Sequence, residues 1–362
     1  MSSSQFGVQP SRLGSINLAA DADALFLKVF SGEVLQVFEE SNVMMPLVQQ
    51  RTISSGKTAQ FPVVGTATAK YHTPGESVMH QNVTNTISGN QGSEALAQTA
   101  ANKYLSRIKH AERTISIDGV LLSSAFIADI DEAKNHYDVR AAYTTQIGRE
   151  LAYTADRALI RTVIAGARAT TDRFGGSDAK FLGAAINTTG GDTAYTADEL
   201  VEGIASIAQK MDEASVPAEG RYVMLNPAHY YLLVKSGNNA INTDFGCMGS
   251  IATGEIAQVA GVRILKSNHI PSANESSSQD AVLGDDLINN DLFGSNTGYS
   301  GANFSTTVGI GFQTEAVGTV KLMDLAVESE YQMDRLGTLM LAKYAMGHGI
   351  LREECCFEIK TA

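Results

Sequence analysis

Two glycine-containing motifs resemble nucleotide-binding sequences, but each lacks a glycine that it needs. Ser55-Gly56-Lys57-Thr58 ends like a phosphate-binding loop, whose backbone N–H groups wrap a phosphate, but Arg51 stands where the first glycine is required. Gly309-Ile310-Gly311 begins like a dinucleotide-binding fingerprint, and Thr314 replaces its third glycine. A polar turn and a packed strand are the better interpretations, so no cofactor is predicted.

Candidates for a nucleophile or a zinc site also fail on spacing. Ser177 lies two residues before Ala179, whereas the strained turn of a hydrolase nucleophile needs glycine at that position. The seven histidines include no pair spaced four residues apart, and no cysteine lies at zinc-ligand spacing from them. We therefore predict no catalytic residue and expect the histidines in the core or at interfaces.

Three aspartates lie close together in the second half of the chain, at Asp285, Asp286 and Asp291. Carboxylates suit Mg²⁺ or Ca²⁺, but this spacing is not that of a calcium loop, whose sixth position is glycine. A solvated acidic loop is the expected structure, and no metal is predicted.

The composition is typical of a folded, acidic protein. The chain has 362 residues, of which 44% are hydrophobic and 18% charged, and its formal net charge is −12. A length of this order predicts about two or three structural units. Tight binding to nucleic acid needs clustered Lys and Arg, so this chain is expected to lie beside DNA without adhering to it.

The cysteines and the apolar runs indicate a cytosolic protein. Cys247, Cys355 and Cys356 are an odd number, and the adjacent pair is too constrained for a usual disulfide, so we expect reduced thiols. Residues 1–14 lack the pattern of a secretory signal. The longest apolar run, 230–234, is far shorter than the roughly 20 residues of a membrane helix, so no membrane partner is predicted.

Apolar periodicity predicts three main helices. They cover 21–42, about 131–165, and a segment that begins after Thr196, which has the capping-box spacing with Glu199. The second helix is long enough to act as a strut across a domain. Its apolar face includes Leu151, Ala155, Ala158 and Thr162, and its arginines, among them Arg157 and Arg161, are expected elsewhere.

The remaining segments read as strands and loops. Strands are predicted at 114–118, 222–225, 261–265 and through much of 316–359, a short helix at 227–234, and polar connections at 166–194 and 274–305. Residues 47–104 are rich in Thr, Ser and Gly and poor in charge, which favours a long two-stranded loop. Such a loop is stable only when it lies on a neighbouring subunit, so this segment points to an assembly.

Five strings, in order along the chain, resemble the major capsid protein of short-tailed, double-stranded DNA bacteriophages. They are 25–35 (LFLKVFSGEVL), 53–62 (ISSGKTAQFP), 135–140 (NHYDVR), 316–322 (AVGTVKL) and 342–349 (AKYAMGHG). The resemblance implies an α+β protein with the tailed-phage major capsid (Johnson) fold. It further implies an N-terminal arm at 1–46, an extended loop at 47–105 formed as a β-hairpin, a peripheral domain at 106–216 with a spine helix at 131–165, an axial domain at 217–318, and return strands of the peripheral domain at 319–362.

The resemblance also implies a function and its partners. Subunits would form pentamers and hexamers of an icosahedral head, built as a procapsid on a scaffolding protein in the host bacterial cytoplasm and expanding as DNA is packaged. A portal protein would occupy one vertex, and packaged double-stranded DNA would lie inside without sequence-specific binding. A decoration protein outside is left open by the sequence.

Eight residues are candidates for contacts between subunits. They are Arg51, Lys57, Phe61, Lys70, Tyr71, Asp285, Asp286 and Asp291. Some members of the family cross-link the extended loop through a lysine, and Lys57 and Lys70 lie in that region, but no cross-link is expected here.

Three other functions remain as alternatives. An encapsulin-type nanocompartment shell protein shares the fold, but the strings match the phage group. A soluble α/β enzyme needs a convergent set of titratable groups, and every signature tested is incomplete. A β-rich tail or adhesion protein would not contain the long helix predicted at 131–165.

Overall fold

The computed structural model describes residues 42–65, 67, 69–72, 74, 108–130, 139–187, 195–235, 258–276, 280, 282–294 and 297–361. Of these, 139–145, 235, 325 and 327 are described through their backbone only. The helix predicted at 21–42 lies outside these residues, except for Asn42. The first eight residues of the predicted spine helix, 131–138, also lie outside them.

The described residues form three helices and twelve strands. The helices are α1 (Val139–Ala167), α2 (Ala197–Glu213) and α3 (Pro227–Lys235). The strands are β1 (Gln49–Thr52), β2 (Thr58–Val64), β3 (His110–Ser116), β4 (Leu121–Ala128), β5 (Ala184–Asn187), β6 (Arg221–Leu225), β7 (Gln258–Val259), β8 (Val262–Lys266), β9 (Thr307–Gln313), β10 (Val317–Gln332), β11 (Gly337–Ile350) and β12 (Cys356–Lys360). Short 3₁₀ helices lie at Met45–Leu47, Ala179–Phe181 and Glu353–Cys355.

Helix α1 is the longest helix of the described residues, and it confirms the predicted strut. Its 29 residues span roughly 44 Å at 1.5 Å per residue. Leu151, Ala155, Ala158 and Thr162 are buried as predicted. Arg161, which was expected away from the buried face, is completely buried, so that part of the prediction is wrong.

The main core surrounds a six-stranded sheet of order β5-β12-β9-β6-β8-β7. Every residue of β9 is buried, as is expected of a strand covered on both faces. Helix α2 packs on this sheet through Leu200, Ile204 and Ile207, all fully buried. Its first turn has the capping box predicted from Thr196 and Glu199, in which the threonine side chain accepts from the Glu199 N–H and Glu199 accepts from the Thr196 N–H.

The second sheet has the order β1-β10-β11-β4, and the β10–β11 hairpin is its longest element. Strand β1 runs parallel to β10, while β4 runs antiparallel to β11. Strand β11 passes so close to the end of β3 that a Cβ atom on Gly347 would lie 1.9 Å from the Ser116 carbonyl oxygen. Only glycine fits at this crossing.

The third sheet is the two-stranded β2–β3 hairpin. Thr58 faces Ser116 at its base, and Val64 faces His110 at its far end. A two-stranded element therefore begins within the predicted extended loop and returns at His110–Ser116, which is beyond the predicted end of that loop at residue 105.

The predicted surface connection at 166–194 lies largely at the surface in its described part after α1, but the prediction missed two buried residues and a strand. Asp172 and Arg173 are buried, and β5 forms the edge of the six-stranded sheet. The Asp172 carboxylate accepts hydrogen bonds from the Phe174 and Gly176 N–H groups, both at 2.8 Å. The buried Asp172 side chain therefore satisfies two backbone groups of its own turn.

The segment 274–305 is irregular, as predicted, in its described part. It contains one isolated bridge, between Asn274 and Asn303. Leu283 and Tyr299 are nevertheless buried against Ala158 of α1. The segment is a packed loop that covers one side of the long helix.

Cys355 and Cys356 are free and buried, in agreement with the prediction of reduced thiols. Burial raises the pKa of the Cys355 thiol to about 12. Cys247 lies outside the described residues. Among the described helices, none combines the length and the apolar character that crossing a membrane requires.

Candidate functional site

The predicted contact residues fall into two sets at different places on the surface. Arg51, Lys57, Phe61, Lys70 and Tyr71 lie on or next to β1 and β2. Asp285, Asp286 and Asp291 lie in the packed loop between β8 and β9, and all three are exposed.

Arg51 and Phe61 of the first set contact each other where β1 lies beside β2. Arg51 of β1 donates from Nη1 to the Gln60 carbonyl oxygen at 2.8 Å, and its guanidinium lies 5.6 Å from the centre of the Phe61 ring. On the other strand, Arg113 pairs with the buried Glu353. These contacts tie both strands of the hairpin to the rest of the subunit.

Lys57, Lys70 and Tyr71 have exposed side chains. Lys57 lies just before β2, where its carbonyl oxygen accepts from the Ile117 N–H at 2.8 Å. Lys70 and Tyr71 lie beyond the far end of the hairpin, and the Tyr71 side chain is fully exposed. Tyrosine is one of the residue types enriched at protein interfaces, because it has an apolar ring and a polar hydroxyl.

The aspartates of the second set do not converge on a point. The Asp285 carboxylate accepts from the Leu287 N–H at 2.9 Å, and Thr297 Oγ1 lies 3.5 Å from an Asp291 carboxylate oxygen. Among the residues that the structure describes, no three His, Cys, Asp or Glu side chains come together as a metal-binding group.

A polar cluster that was not predicted joins this loop to β3 and β11. The Tyr299 hydroxyl donates to the Asp118 carboxylate at 2.6 Å, and it accepts from the His348 N–H at 3.0 Å. Asp118 also accepts from the Asn289 N–H at 2.9 Å and from Asn290 Nδ2 at 3.0 Å. These bonds hold the loop against the start of the segment that leads into β4.

Beside this cluster the protein surface opens into a cavity of about 240 Å³. The cavity lies between α1, the start of β4, the end of β11 and the packed loop. Its lining is largely apolar, and Val120, Val282, Leu287 and Tyr344 contribute to it. The polar residues that line it include Asp118, Thr154, Asp285, Tyr299 and His348.

Burial shifts the titration of the cluster. It raises the pKa of Asp118 to about 6, although the hydrogen bonds from Tyr299, Asn289 and Asn290 favour the carboxylate. Burial together with the Asp118 charge raises the pKa of Tyr299 well above its ordinary value. Burial, with a smaller effect of Lys321, lowers the pKa of His348 to about 4.

This arrangement does not form a catalytic dyad. The His348 ring is bonded through Nδ1 to the Thr319 hydroxyl at 3.0 Å, and its centre lies 5.8 Å from that of the Tyr299 ring. Among the described residues no hydrogen bond joins the His348 ring to the Asp118 carboxylate, and general acid–base catalysis requires hydrogen-bond reach. The cluster is suited to holding the loop in place.

A second group of buried charges along α1 was also missed by the sequence analysis. Arg161 pairs with Glu275, whose carboxylate also accepts from the Ser300 hydroxyl at 2.9 Å. Asp156 accepts from the Val43 N–H at 2.8 Å and from the Met44 N–H at 3.1 Å. Partners more than 100 residues away in sequence give no local signal, and helical periodicity assigns charged residues to solvent by default.

Most exposed apolar side chains of the described residues are grouped in three places. They lie near the far end of the β2–β3 hairpin, at the rim of the cavity and at the turn of the β10–β11 hairpin, and the groups are Val64, Tyr71 and Ile108, then Val120, Val282 and Leu287, then Tyr331, Met333 and Leu336. The exposed side chains of Leu122, Ile130, Tyr231 and Met323 lie outside these groups. Grouped apolar surface of this kind marks sites of protein contact.

The chain is similar in sequence to phage capsid proteins. Residues 91–360 match the family of Gp10A-like major capsid proteins. The chain is 33% identical to the major capsid protein of Escherichia phage T7 over 346 residues, which cover 93% of this chain and 91% of that protein. It is 34% identical to the major capsid protein of Enterobacteria phage T3 over 351 residues, with the same coverage of 93% and 91%.

Solved structures give the same result for the fold. The chain superposes on a chain of the capsid structure of the cyanophage P-SCSP1u with a TM-score of 0.71 and 37% identity, covering 98% of this chain and 99% of that one. A chain of the mature capsid of bacteriophage PhiM1 matches with a TM-score of 0.66 and 17% identity, covering 93% and 92%. The predicted tailed-phage capsid fold, with its mixture of helices and sheets, is confirmed.

Proposed function

The chain belongs to the Gp10A-like family of major capsid proteins, and from this premise we propose how one subunit takes part in building a phage head. Its function is structural, as in a family that is not known to be enzymatic. We propose that copies form the pentamers and hexamers of an icosahedral shell, with the N-terminal arm (1–46) and the extended loop (47–105) lying on neighbouring subunits.

The observation that carries this proposal is the β2–β3 hairpin. Its base is fixed by Arg51 and by the Arg113–Glu353 pair, while Val64 and Tyr71 toward its far end are exposed. A hairpin with exposed apolar residues is poorly stabilised by its own chain and gains from a partner surface. Repetition of a modest contact around every capsomer would turn it into a stable shell through multivalency.

The partners during assembly are proposed from the family. A scaffolding protein would direct formation of a procapsid in the host bacterial cytoplasm, a portal protein would occupy one vertex, and the shell would expand as double-stranded DNA enters. The formal net charge of −12 supports the proposal that packaged DNA lies inside without tight binding, because few phosphate contacts can form.

An encapsulin-type shell remains the second candidate function. It shares the fold, but the identities of 33% to 37% are to phage capsid proteins. These identities favour a shell for a genome over a shell for cargo enzymes.

The test is to express the full chain alone and together with a candidate scaffolding protein, followed by electron microscopy and mass measurement of the products. We expect closed icosahedral shells with the scaffold, and hexamers, tubes or irregular shells without it. A monodisperse monomer or dimer under both conditions would contradict the proposal. Shells that enclose an enzyme of the expression host, with no response to the scaffold, would favour the nanocompartment.

A further inference from the structure

The cavity beside Asp118 has a net negative lining. Asp118 and Asp285 both line it, and no lysine or arginine is among the described residues that do so. Asp118 is partly buried and accepts hydrogen bonds from Tyr299, Asn289 and Asn290, but among the described residues no cation pairs with it, whereas buried charges are normally paired. The cavity therefore favours an occupant that brings a positive charge.

The rim of the cavity is also suited to an apolar occupant. Val120, Val282 and Leu287 line it and are exposed, and the Leu287 side chain is 66% exposed. The volume of about 240 Å³ is large enough for one aromatic ring, since an apolar cavity of about 150 Å³ can hold benzene. An aromatic side chain next to a cation matches both the lining and the size.

Lys70 and Tyr71 have this combination. Tyr71 is fully exposed and Lys70 precedes it in the chain. The surrounding sequence is positive as well: residues 41–75 contain Arg51, Lys57 and Lys70 and no Asp or Glu. The packed loop at 274–305 has the opposite character, because it contains five Asp or Glu and no Lys or Arg. Glu275 and Asp280 pair with arginines of α1, and Asp285, Asp286 and Asp291 are exposed.

A Lys70 and Tyr71 pair that fills this cavity must belong to a second copy of the chain. The hairpin base, where Thr58 faces Ser116, lies next to the Asp118 side of the cavity, and its far end is six residues further along β2. At about 3.3 Å per residue the hairpin leads roughly 20 Å away from its own cavity before Lys70 is reached. The full exposure of Tyr71 confirms that it does not enter the cavity of its own subunit.

We propose that Lys70 and Tyr71 of one subunit bind the Asp118–Leu287 cavity of a neighbouring subunit. The Tyr71 ring packs between Val120 and Leu287, and the Lys70 ammonium group lies near the Asp285 carboxylate. This inference rests on the proposed shell function and specifies one contact by which the extended loop would hold a neighbour.

Cysteine cross-linking of assembled shells tests the contact directly. The variant with Tyr71→Cys and Leu287→Cys is expected to form covalent chains of many subunits under mild oxidation, while each single variant is not. Tyr71→Cys with Met333→Cys is the control, since Met333 on the β10–β11 turn is an apolar residue that is even more accessible than Leu287, at 82% exposed. Equal cross-linking in the control, or none with Leu287→Cys, would overturn the proposal.

Charge exchange gives a second test that does not depend on thiols. Lys70→Glu and Asp285→Lys are each expected to lower the yield of shells at least tenfold, and the double variant is expected to restore it. Tyr71→Phe should assemble like the wild type, whereas Tyr71→Ser should not. Wild-type assembly that persists in every single variant would refute this contact alone, whereas failure of the wild type itself to assemble would refute the shell function.

Discussion

Two residues that contact Tyr299, the partly buried Asp118 and the buried His348, respond to pH in opposite directions. The pKa of Asp118 is raised from 3.8 to about 6, so its contribution to stability is complete below pH 3.8 and is lost as the pH rises through 6. The pKa of His348 is lowered from 6.5 to about 4, so its contribution is complete above pH 6.5 and is lost as the pH falls through 4. Between pH 4 and 6 the two effects offset each other.

Single substitutions should separate these two effects. In Asp118→Asn the free energy of unfolding is expected to fall as the pH is lowered from 6.5 to 4, because only the His348 effect remains. In His348→Gln it should fall as the pH is raised from 4 to 6. Each change is roughly 3 kcal/mol across its window. Denaturant titrations at several pH values measure both slopes, and parallel pH profiles for the two variants would contradict the assignment.

The buried pair of Arg161 and Glu275 should be costly to break. Arg161→Met leaves the Glu275 carboxylate without its cation in the core, and the expected loss is about 3–5 kcal/mol. Adding Glu275→Gln should recover part of this loss, because the remaining group is then neutral. The exposed Lys343–Glu328 pair is the control, since Lys343→Met should cost at most about 1 kcal/mol. Equal losses at the two pairs would show that Arg161 does not act through Glu275.

Two glycines of α1 allow the packing of the helix to be tested with the same substitution. A Cβ on Gly148 would meet no atom within 4 Å, whereas a Cβ on Gly166 would lie 2.6 Å from Cys356 Sγ of β12. Gly148→Ala is therefore expected to stabilise the subunit by up to about 1 kcal/mol, which is the gain in helix propensity. Gly166→Ala should destabilise it by roughly 1–3 kcal/mol through overpacking. Denaturant unfolding measures both, and a similar gain at Gly166 would contradict the close contact of α1 with β12.

At the scale of elements, the sequence predicted the features that depend on residues close together in the chain. The capping box of Thr196 and Glu199 was predictable because it satisfies backbone groups within one helical turn. The buried face of α1 followed from its periodicity, except at Arg161. That residue is buried only because Glu275, 114 positions away, supplies its charge partner. Whether a charged side chain is buried depends on its partner in the tertiary structure, and helical periodicity carries no information about that partner.

The candidate site was predictable only in part for the same reason. Exposed residues such as Lys70 and Asp285 lie in segments whose charged residues all have the same sign, and this can be seen in the sequence alone. Asp118, Tyr299 and His348 come from three separated segments and meet only through the packing of the irregular loop on β3 and β11. No spacing rule links them, so the cavity that they border was not anticipated.

At the scale of the whole molecule, folding and assembly should depend on different parts of the chain. The described cores lie in the two larger sheets and around α1, and the β2–β3 hairpin contributes to a small cluster through Ala59 and Ile115. The far end of the hairpin, near Val64, is exposed. A change beyond that end should therefore affect contacts between subunits and leave the subunit folded.

Deletion of residues 66–100 tests this separation. Gly65 donates to the Lys109 carbonyl oxygen at 2.8 Å, so the two strand ends are adjacent, and the seven residues 101–107 that remain are enough to join them. We expect the variant to unfold at nearly the same denaturant concentration as the wild type but to form no closed shells with a scaffolding protein. Sedimentation and electron microscopy measure assembly, and Tyr71→Phe serves as the assembling control. Normal shells from the deletion variant would show that the contacts holding subunits together lie elsewhere, whereas a loss of folding would show that the segment stabilises the subunit itself.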